Sequence, residues 1–311
     1  MDNSLLHNVI YDFLEYRKMT GFNIKIYKRH LKQFENYCTE NNISLSDVTK
    51  EILEKWCDYK EESEQTKRKR FIMMQKFASY LKIKGFKIDI PSSNIVIKYK
   101  RTIVPYIFSE SELKRFFCEV DNSNKAKTDS LLFRLYYGCG LRMHEALSLK
   151  CCDVNLIDGI ITIRNAKNGR TRMIPLSSCL WSRCKQYAHE NLIKCNEDDY
   201  FFFIKDPRKP LSDSTVYWRF RAYLKKAGIP HLKQGPRVHD FRHTMCVHRL
   251  KTWVLEGKDL NAYLPYLSKY MGHVDFRGTE YYLKLTADLY PYLIEKMNEH
   301  QMGIIPVRED N

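Results

Sequence analysis

Apolar residues recur at helical spacing through the first ninety or so positions of the chain. In NIKIYKRHLKQFENYC, the residues Ile24, Tyr27, Leu31, Phe34 and Cys38 fall three or four apart. In TKRKRFIMMQKFASYLKIKG, Phe71, Met74, Phe77 and Leu81 do the same, and Gly85 supplies a stop. One helix before these segments and one between them would make four, enough for a small bundle.

A second patterned region opens at SESELKRFF, where Ser109 as N-cap and Glu112 form a capping box ahead of an apolar helix face. The helix through Leu131 to Tyr137 should stop at Gly138 and Gly140. The strand signal is GIITIRNAKNGRTRMIPLS, two β-rich runs around the turn dipeptide Asn168-Gly169. Beyond Pro210, helical periodicity resumes to about residue 300. The pattern predicts a mainly α protein of two domains. Residues 1–90 form a helical bundle, 91–108 a linker, and 109–311 an α+β domain with a small antiparallel sheet.

Charge narrows the partner. The chain carries 52 Lys and Arg against 37 acidic residues, a net +15, which favours a polyanion, most simply nucleic acid. From Ser63 to Arg101 there are eleven basic residues and two acidic ones. Lys67, Arg68, Lys69 and Arg70 sit early on the fourth predicted helix, while Lys98, Lys100 and Arg101 lie in the extended stretch IDIPSSNIVIKYKRT. Together they are expected to contact DNA as a strap along the phosphate backbone. The N-terminus, MDNSLLHNVIYDFLEY, has no basic region ahead of its apolar residues and does not read as a signal peptide. No apolar run is long enough to span a membrane. The ten cysteines show no CxxC spacing, which argues against structural zinc and for reduced, mostly buried thiols in a cytoplasmic protein.

Four segments of the second domain carry candidate chemistry. In YYGCGLRMHEALSLK, Arg142 enters a helix just after two glycines, where backbone N–H groups and the helix dipole favour an anion. Glu145, three residues on, can hold that guanidinium. Lys167 precedes the hairpin turn, with Arg170 and Arg172 behind it as further DNA contacts. In RVHDFRHTMCVHRL, His239, Arg242 and His243 share one helix turn, and such a cationic cluster is relieved by an anion. The two histidines could chelate zinc at this spacing, but no glutamate lies between them and Arg242 would oppose a cation. In MGHVDFRGTEYYLKL, Gly272 should end a helix and present His273, and a short helix then carries Tyr281 and Tyr282. Arginines, histidines, a lysine and a tyrosine without a carboxylate pair suit a phosphodiester attacked by a side-chain hydroxyl. A phenolate is a good leaving group, so the covalent bond to phosphate would stay reversible.

These residues resemble the tyrosine recombinases, or phage-type integrases, over nearly the whole chain. GCGLRMHEALSL is similar to the family's G-L-R-x-x-E-L box, HDFRH to its H-x-x-R-H box, and MGH followed nine residues later by Tyr282 to its G-H…Y box. The lysine hairpin falls between the first and second, and the N-terminal region resembles the family's SAM-like core-site-binding domain. The resemblance implies six catalytic residues, Arg142, Lys167, His239, Arg242, His273 and Tyr282, with Glu145 and His243 in support. It further implies that Tyr282 forms a 3′-phosphotyrosyl link while Lys167 protonates the departing 5′-oxygen. Arg142, Arg242 and His273 would hold the phosphate oxygens, and His239 would assist. The freed 5′-hydroxyl of a partner strand would then attack, through a Holliday junction, without metal or ATP. Implied partners are double-stranded DNA bearing inverted-repeat core sites, three further copies of the chain in a tetramer, and accessory bending or directionality factors. The stretch LYPYLIEKMNEHQM reads as an amphipathic C-terminal helix over 288–300; the resemblance implies that it docks on a neighbouring protomer, and the alternative is packing on its own domain. The segment from Arg242 to His273 is longer than in compact family members and resembles transposon-type recombinases, which points to integration or excision of a mobile element. No room remains ahead of the first domain for an arm-binding module, so strong dependence on arm sites is not expected. The alternatives are DNA relaxation of the type IB topoisomerase kind and an inert DNA-binding protein.

Overall fold

The computed structural model describes residues 3–22, 24–59, 62–91, 104–164, 171–231, 235–273 and 277–290. The chain divides into two compact units, Met1–Arg101 and Thr102–Asn311. The first contains the four helices that the periodicity predicts: α1 (Asn3–Met19), α2 (Lys25–Glu40), α3 (Lys50–Asp58) and α4 (Glu64–Ile83). Leu31, Phe34 and Cys38 from α2 and Met74, Phe77 and Leu81 from α4 are fully or almost fully buried. Phe34 meets Trp56 edge-on at 5.3 Å, and Phe13 of α1 lies 5.3 Å from Phe77. Each such side chain contributes roughly 1.5–3 kcal/mol by leaving water. Ser63 caps α4 by accepting from the Thr66 N–H, and the helix stops at Lys84-Gly85.

In the second unit, Ser109 and Glu112 form the expected capping box at the start of α5 (Glu110–Asp121). The stretch just before it is core rather than linker. Phe108, expected in the linker, is fully buried, stacks on Phe241 at 4.9 Å, and donates its N–H to Thr244 Oγ1 at 3.1 Å. The remaining elements are α6 (Ala126–Gly138), α7 (Met143–Leu147), β1 (Val154–Asn155), β2 (Ile160–Ile163), β3 (Arg172–Pro175), α8 (Ser178–Asn191) and α9 (Asp213–Lys226). They are followed by α10 (Asp240–Leu255), α11 (Leu260–Met271) and α12 (Arg277–Leu289).

The sheet is antiparallel in the order β1-β2-β3, with Ile161 opposite Ile174 and Ile163 opposite Arg172. The turn at Asn168-Gly169 lies outside the described residues. Phe116, Phe133, Phe220 and Phe241 from α5, α6, α9 and α10 form one aromatic core. A second core joins α10, α11 and α12 through Leu250, Leu264, Met271 and Leu283. Of the ten cysteines only Cys38, Cys57, Cys139, Cys184 and Cys246 are buried, half of the set rather than most of it. Among the described residues no helix is long and apolar enough to cross a membrane.

Candidate active site

Two left-handed glycines shape the site. Gly140 (φ +59) follows the end of α6, and Gly272 (φ +64) ends α11. A side chain at Gly140 would be strained and would press on Met245 Cε at 2.5 Å and Met271 Sδ at 2.9 Å. At Gly272 it would meet the Arg172 side chain at 3.0–3.2 Å. The backbone N–H groups of Gly272 and His273 fold back onto the carbonyls of Lys269 and Ser268, which presents His273 at the turn.

Arg242, on the first turn of α10, runs beneath both glycine corners. It is 2% exposed and donates from Nη1 to the Gly140 carbonyl at 2.6 Å and from Nη2 to the Met271 carbonyl at 2.5 Å. Burial and the nearby Arg142 charge lower its pKa to about 10, while Tyr282 works against the shift. It therefore stays cationic at neutral pH, with two of its five donors fixed by the backbone.

Arg142 is the N-cap of α7. Its backbone N–H donates to Glu145 Oε2 at 2.9 Å and its Nη1 to Glu145 Oε1 at 2.6 Å. The sequence predicts that pairing. A further partner comes from β3: Arg172 Nη1 and Nη2 also donate to Glu145, at 3.0 and 2.8 Å. Burial works to raise the Glu145 pKa, but the two arginines and the Arg142 N–H outweigh it and hold the carboxyl down to about 2.

Tyr282 lies on α12 against α10. Its ring stacks on His273 at 5.9 Å with 12° between planes, sits 5.5 Å from His243, and meets Tyr281 at 5.8 Å. The side chain is buried, and that burial pushes the phenol pKa upward; Cys246 adds to the rise and Arg242 opposes it. His273 Nδ1 pairs with the hydroxyl of buried Thr279 at 3.1 Å, which orients the ring. His239 stands at the N-cap position of α10 and meets His243 edge-on at 4.8 Å. The His239 ring reaches the surface, yet packing beneath it and the charges of His243, Arg242 and Arg142 depress its pKa.

The structure thus gathers Arg142, Glu145, His239, Arg242, His243, His273 and Tyr282 around one locus in the second unit. Lys167 and Arg170 lie outside the described residues, as do Lys98, Lys100 and Arg101. Two of the expected DNA contacts are engaged within the protein. Arg172 does not project from the hairpin; its side chain is 9% exposed, bound to Glu145, and donates from Nε to the Tyr270 carbonyl at 3.0 Å. Side chains two apart on a strand share a face, and Ile174 is buried, so alternation placed Arg172 inward. Arg70 is likewise 1% exposed, bonded to Glu62 and to the Cys57 carbonyl at 3.2 Å, with its guanidinium over Trp56. Lys67 is half-buried and pairs with Asp58 at 3.3 Å, which leaves Arg68 and Lys69 as the exposed members of that run. Sequence reasoning also passed over Cys246, one helical turn beyond Arg242 on the face toward α12, and Thr279.

A buried arginine, Arg242, a half-buried one, Arg142, and a buried phenol, Tyr282, thus belong to one site in the second unit. A model of the phage integrase family matches residues 107–288, more than half of the chain, and the chain belongs to that family. It is 29% identical over 230 residues to tyrosine recombinase XerA of Pyrococcus furiosus, covering 73% of each chain. It is 26% identical over 289 residues to a tyrosine recombinase of Pseudothermotoga lettingae, covering 89% of this chain and 94% of the relative. A solved structure of the Tn1549 transposon integrase in complex with transposon right end DNA is similar in fold. Its TM-score is 0.62 at 14% identity, with 92% of this chain and 99% of that one covered.

Proposed function

We propose that Tyr282 is the nucleophile of this tyrosine-type site-specific DNA recombinase. The observation that carries the reading is the convergence of Tyr282, Arg242 and His273 beside the Arg142–Glu145 pair. The scissile phosphate binds between Arg142 and Arg242, whose charges offset the negative charge that builds up on the pentacoordinate phosphorus. The phenol gives its proton to the neutral His239 and its oxygen attacks phosphorus, the 5′-oxygen leaves with a proton from Lys167, and a 3′-phosphotyrosine forms; the reverse transfers restore both groups when the partner strand attacks. The 5′-hydroxyl of a partner strand then attacks that phosphorus and releases the phenol. One phosphodiester is exchanged for another, so the sequence of bonds balances without an external energy source. His273, held through Nδ1 by Thr279, contributes its other ring edge to the phosphate. His239, kept neutral by its surroundings, is suited to relay a proton.

The phenol is buried and its pKa is raised, so the charge of Arg242 beside it, which opposes that rise, favours the phenolate needed for attack. The DNA partner is double-stranded and carries inverted-repeat core sites. Four copies assemble on two such sites, and accessory bending or directionality factors act on that assembly. The tail over 288–300, expected as a helix exchanged between neighbours, lies almost wholly outside the described residues. The rest of α10 and the helix α11 occupy the long interval between Arg242 and His273, and fold similarity to a transposon integrase supports a role in moving a mobile element.

A nicked suicide duplex that releases the departing strand tests the nucleophile. The wild type and Tyr281→Phe should trap a covalent protein–DNA adduct, and Tyr282→Phe should not. An adduct that survives Tyr282→Phe but disappears in Tyr281→Phe reverses the assignment.

A further inference from the structure

Arg172 makes contacts that neither the family boxes nor the recombination chemistry calls for. Its guanidinium forks onto both oxygens of Glu145, the carboxylate that also holds Arg142. Its Nε donates to the Tyr270 carbonyl, three residues before His273. Its aliphatic stem and Nη1 pass under Gly272 so closely that a Cβ there would lie 3.0–3.2 Å from them. The glycine of the Gly-His pair therefore does more than end α11: it leaves the passage that Arg172 occupies. Arg172 also stands at the first position of β3, the strand that leads out of the hairpin bearing Lys167. One side chain thus ties together the strand of the lysine hairpin, the cap of Arg142 and the turn of His273.

The shared carboxylate carries a consequence for charge. Glu145 has two oxygens, and Arg172 engages both, so Arg142 binds it through a single side-chain donor. The rest of the Arg142 fork is then available to an anion, and its side chain is 26% exposed where that of Arg172 is 9% exposed. Without Arg172, the full carboxylate charge would draw Arg142 into a two-pronged pair with Glu145 and away from the phosphate. We propose that Arg172 is a positioning residue of the phosphate site: it shares Glu145 with Arg142 and braces the His273 turn, which keeps the Arg142 fork turned toward the scissile phosphate. This inference rests on the recombinase reading above.

Single-turnover adduct formation tests it, on a nicked suicide duplex carrying the inverted repeat beside the protein's own gene. Adduct formation by the wild type is the control for the reading itself; its absence would count against the recombinase assignment rather than against Arg172. Arg172→Ala should slow the step about a hundredfold, the scale set by small misplacements of a binding group. Arg172→Lys keeps the charge but cannot fork onto both oxygens, so it should fold normally by circular dichroism and show a smaller loss. The decisive readout is the second substitution. Glu145→Gln removes the pull on Arg142, so either Arg172 variant combined with it should recover about tenfold or more relative to the Arg172 variant alone. A neutral methylphosphonate at the scissile position should likewise narrow the gap between Arg172→Lys and wild type. Wild-type rates in both Arg172 variants, or a double variant no faster than its Arg172 parent, would overturn the proposal.

Discussion

Arg242 is anchored to Gly140 across 102 positions of sequence, Nη1 to carbonyl oxygen at 2.6 Å. The bond explains why a glycine and an arginine from different segments behave as one unit. Gly140 supplies both the left-handed backbone that aims its carbonyl and the space that Met245 and Met271 fill. Gly140→Ala should cost about 1–2 kcal/mol from the backbone alone, because the methionine ends can shift but φ cannot. It should lower the urea midpoint and slow adduct formation together. Arg242→Lys cannot satisfy both carbonyls, and leaving one buried and unpaired costs about 1–3 kcal/mol. Unchanged midpoints in both variants would refute the anchoring role.

The elements that the sequence disclosed are those with a local signature. Ser109 and Glu112 announce α5, and Leu31, Phe34 and Cys38 trace the buried face of α2. The turn of Gly272 was also legible, since a glycine before a histidine needs no distant partner to end a helix. The helix α8 was passed over although Ser177 caps it and Leu180, Cys184 and Tyr187 repeat along its buried face. Its adjacent strands and scattered polar residues masked that periodicity. Pairings across the chain were the least legible. Arg70, Met74 and Phe77 lie on one face of α4, and Arg172 shares a strand face with Ile174, so periodicity marks both arginines as inward. What periodicity does not reveal is the acceptor, and a charged residue without a visible acceptor reads as a DNA contact.

Glu145 should make stability depend on pH in a defined window. Its folded pKa of about 2 lies below the ordinary 4.5, so its contribution is complete above about 4.5 and is lost as pH falls toward 2. The shift corresponds to something on the order of 3 kcal/mol. Other carboxylates titrate in the same range, so the comparison is between wild type and Glu145→Gln at each pH. The difference in urea midpoint should shrink steadily over that window. A difference that stays constant from neutral pH to pH 2 would remove the basis for the shift.

His239 should remain neutral in the DNA-free protein across the range in which an ordinary histidine titrates. Packing beneath the ring and the neighbouring cations lower its pKa, so protonation is deferred to more acidic pH. Ring-proton NMR on a sample assigned by His239→Gln should show no titration step between about pH 5.5 and 8. Any stability linked to the neutral ring would be lost as pH falls below the unfolded value, not as it rises. Addition of an oligonucleotide should bring the step toward neutrality, since a phosphate favours the imidazolium. A free-protein step near 6.5 would contradict the assignment of His239 as a neutral proton relay.

Arg70 and Lys69 stand side by side on α4 and should fail in opposite ways. Arg70 is buried over Trp56 and bonded to the Cys57 carbonyl and Glu62, whereas Lys69 is exposed. Arg70→Ala removes the guanidinium from its acceptors and should destabilise the N-terminal unit by on the order of 2–3 kcal/mol. Its effect on DNA affinity should follow from the fraction unfolded, with the salt dependence of the folded protein unchanged. Lys69→Ala should leave the unfolding free energy from urea titration within about 0.5 kcal/mol of wild type, as exposed substitutions do. Its signature should be electrostatic: the slope of log affinity against log salt should fall by about 0.9 if Lys69 neutralises one phosphate. Fluorescence anisotropy on a duplex at several salt concentrations, paired with urea unfolding, separates the two. Should Arg70→Ala reduce the salt slope while its midpoint stays fixed, Arg70 would be a DNA contact after all, and its buried bonds would have to open on binding.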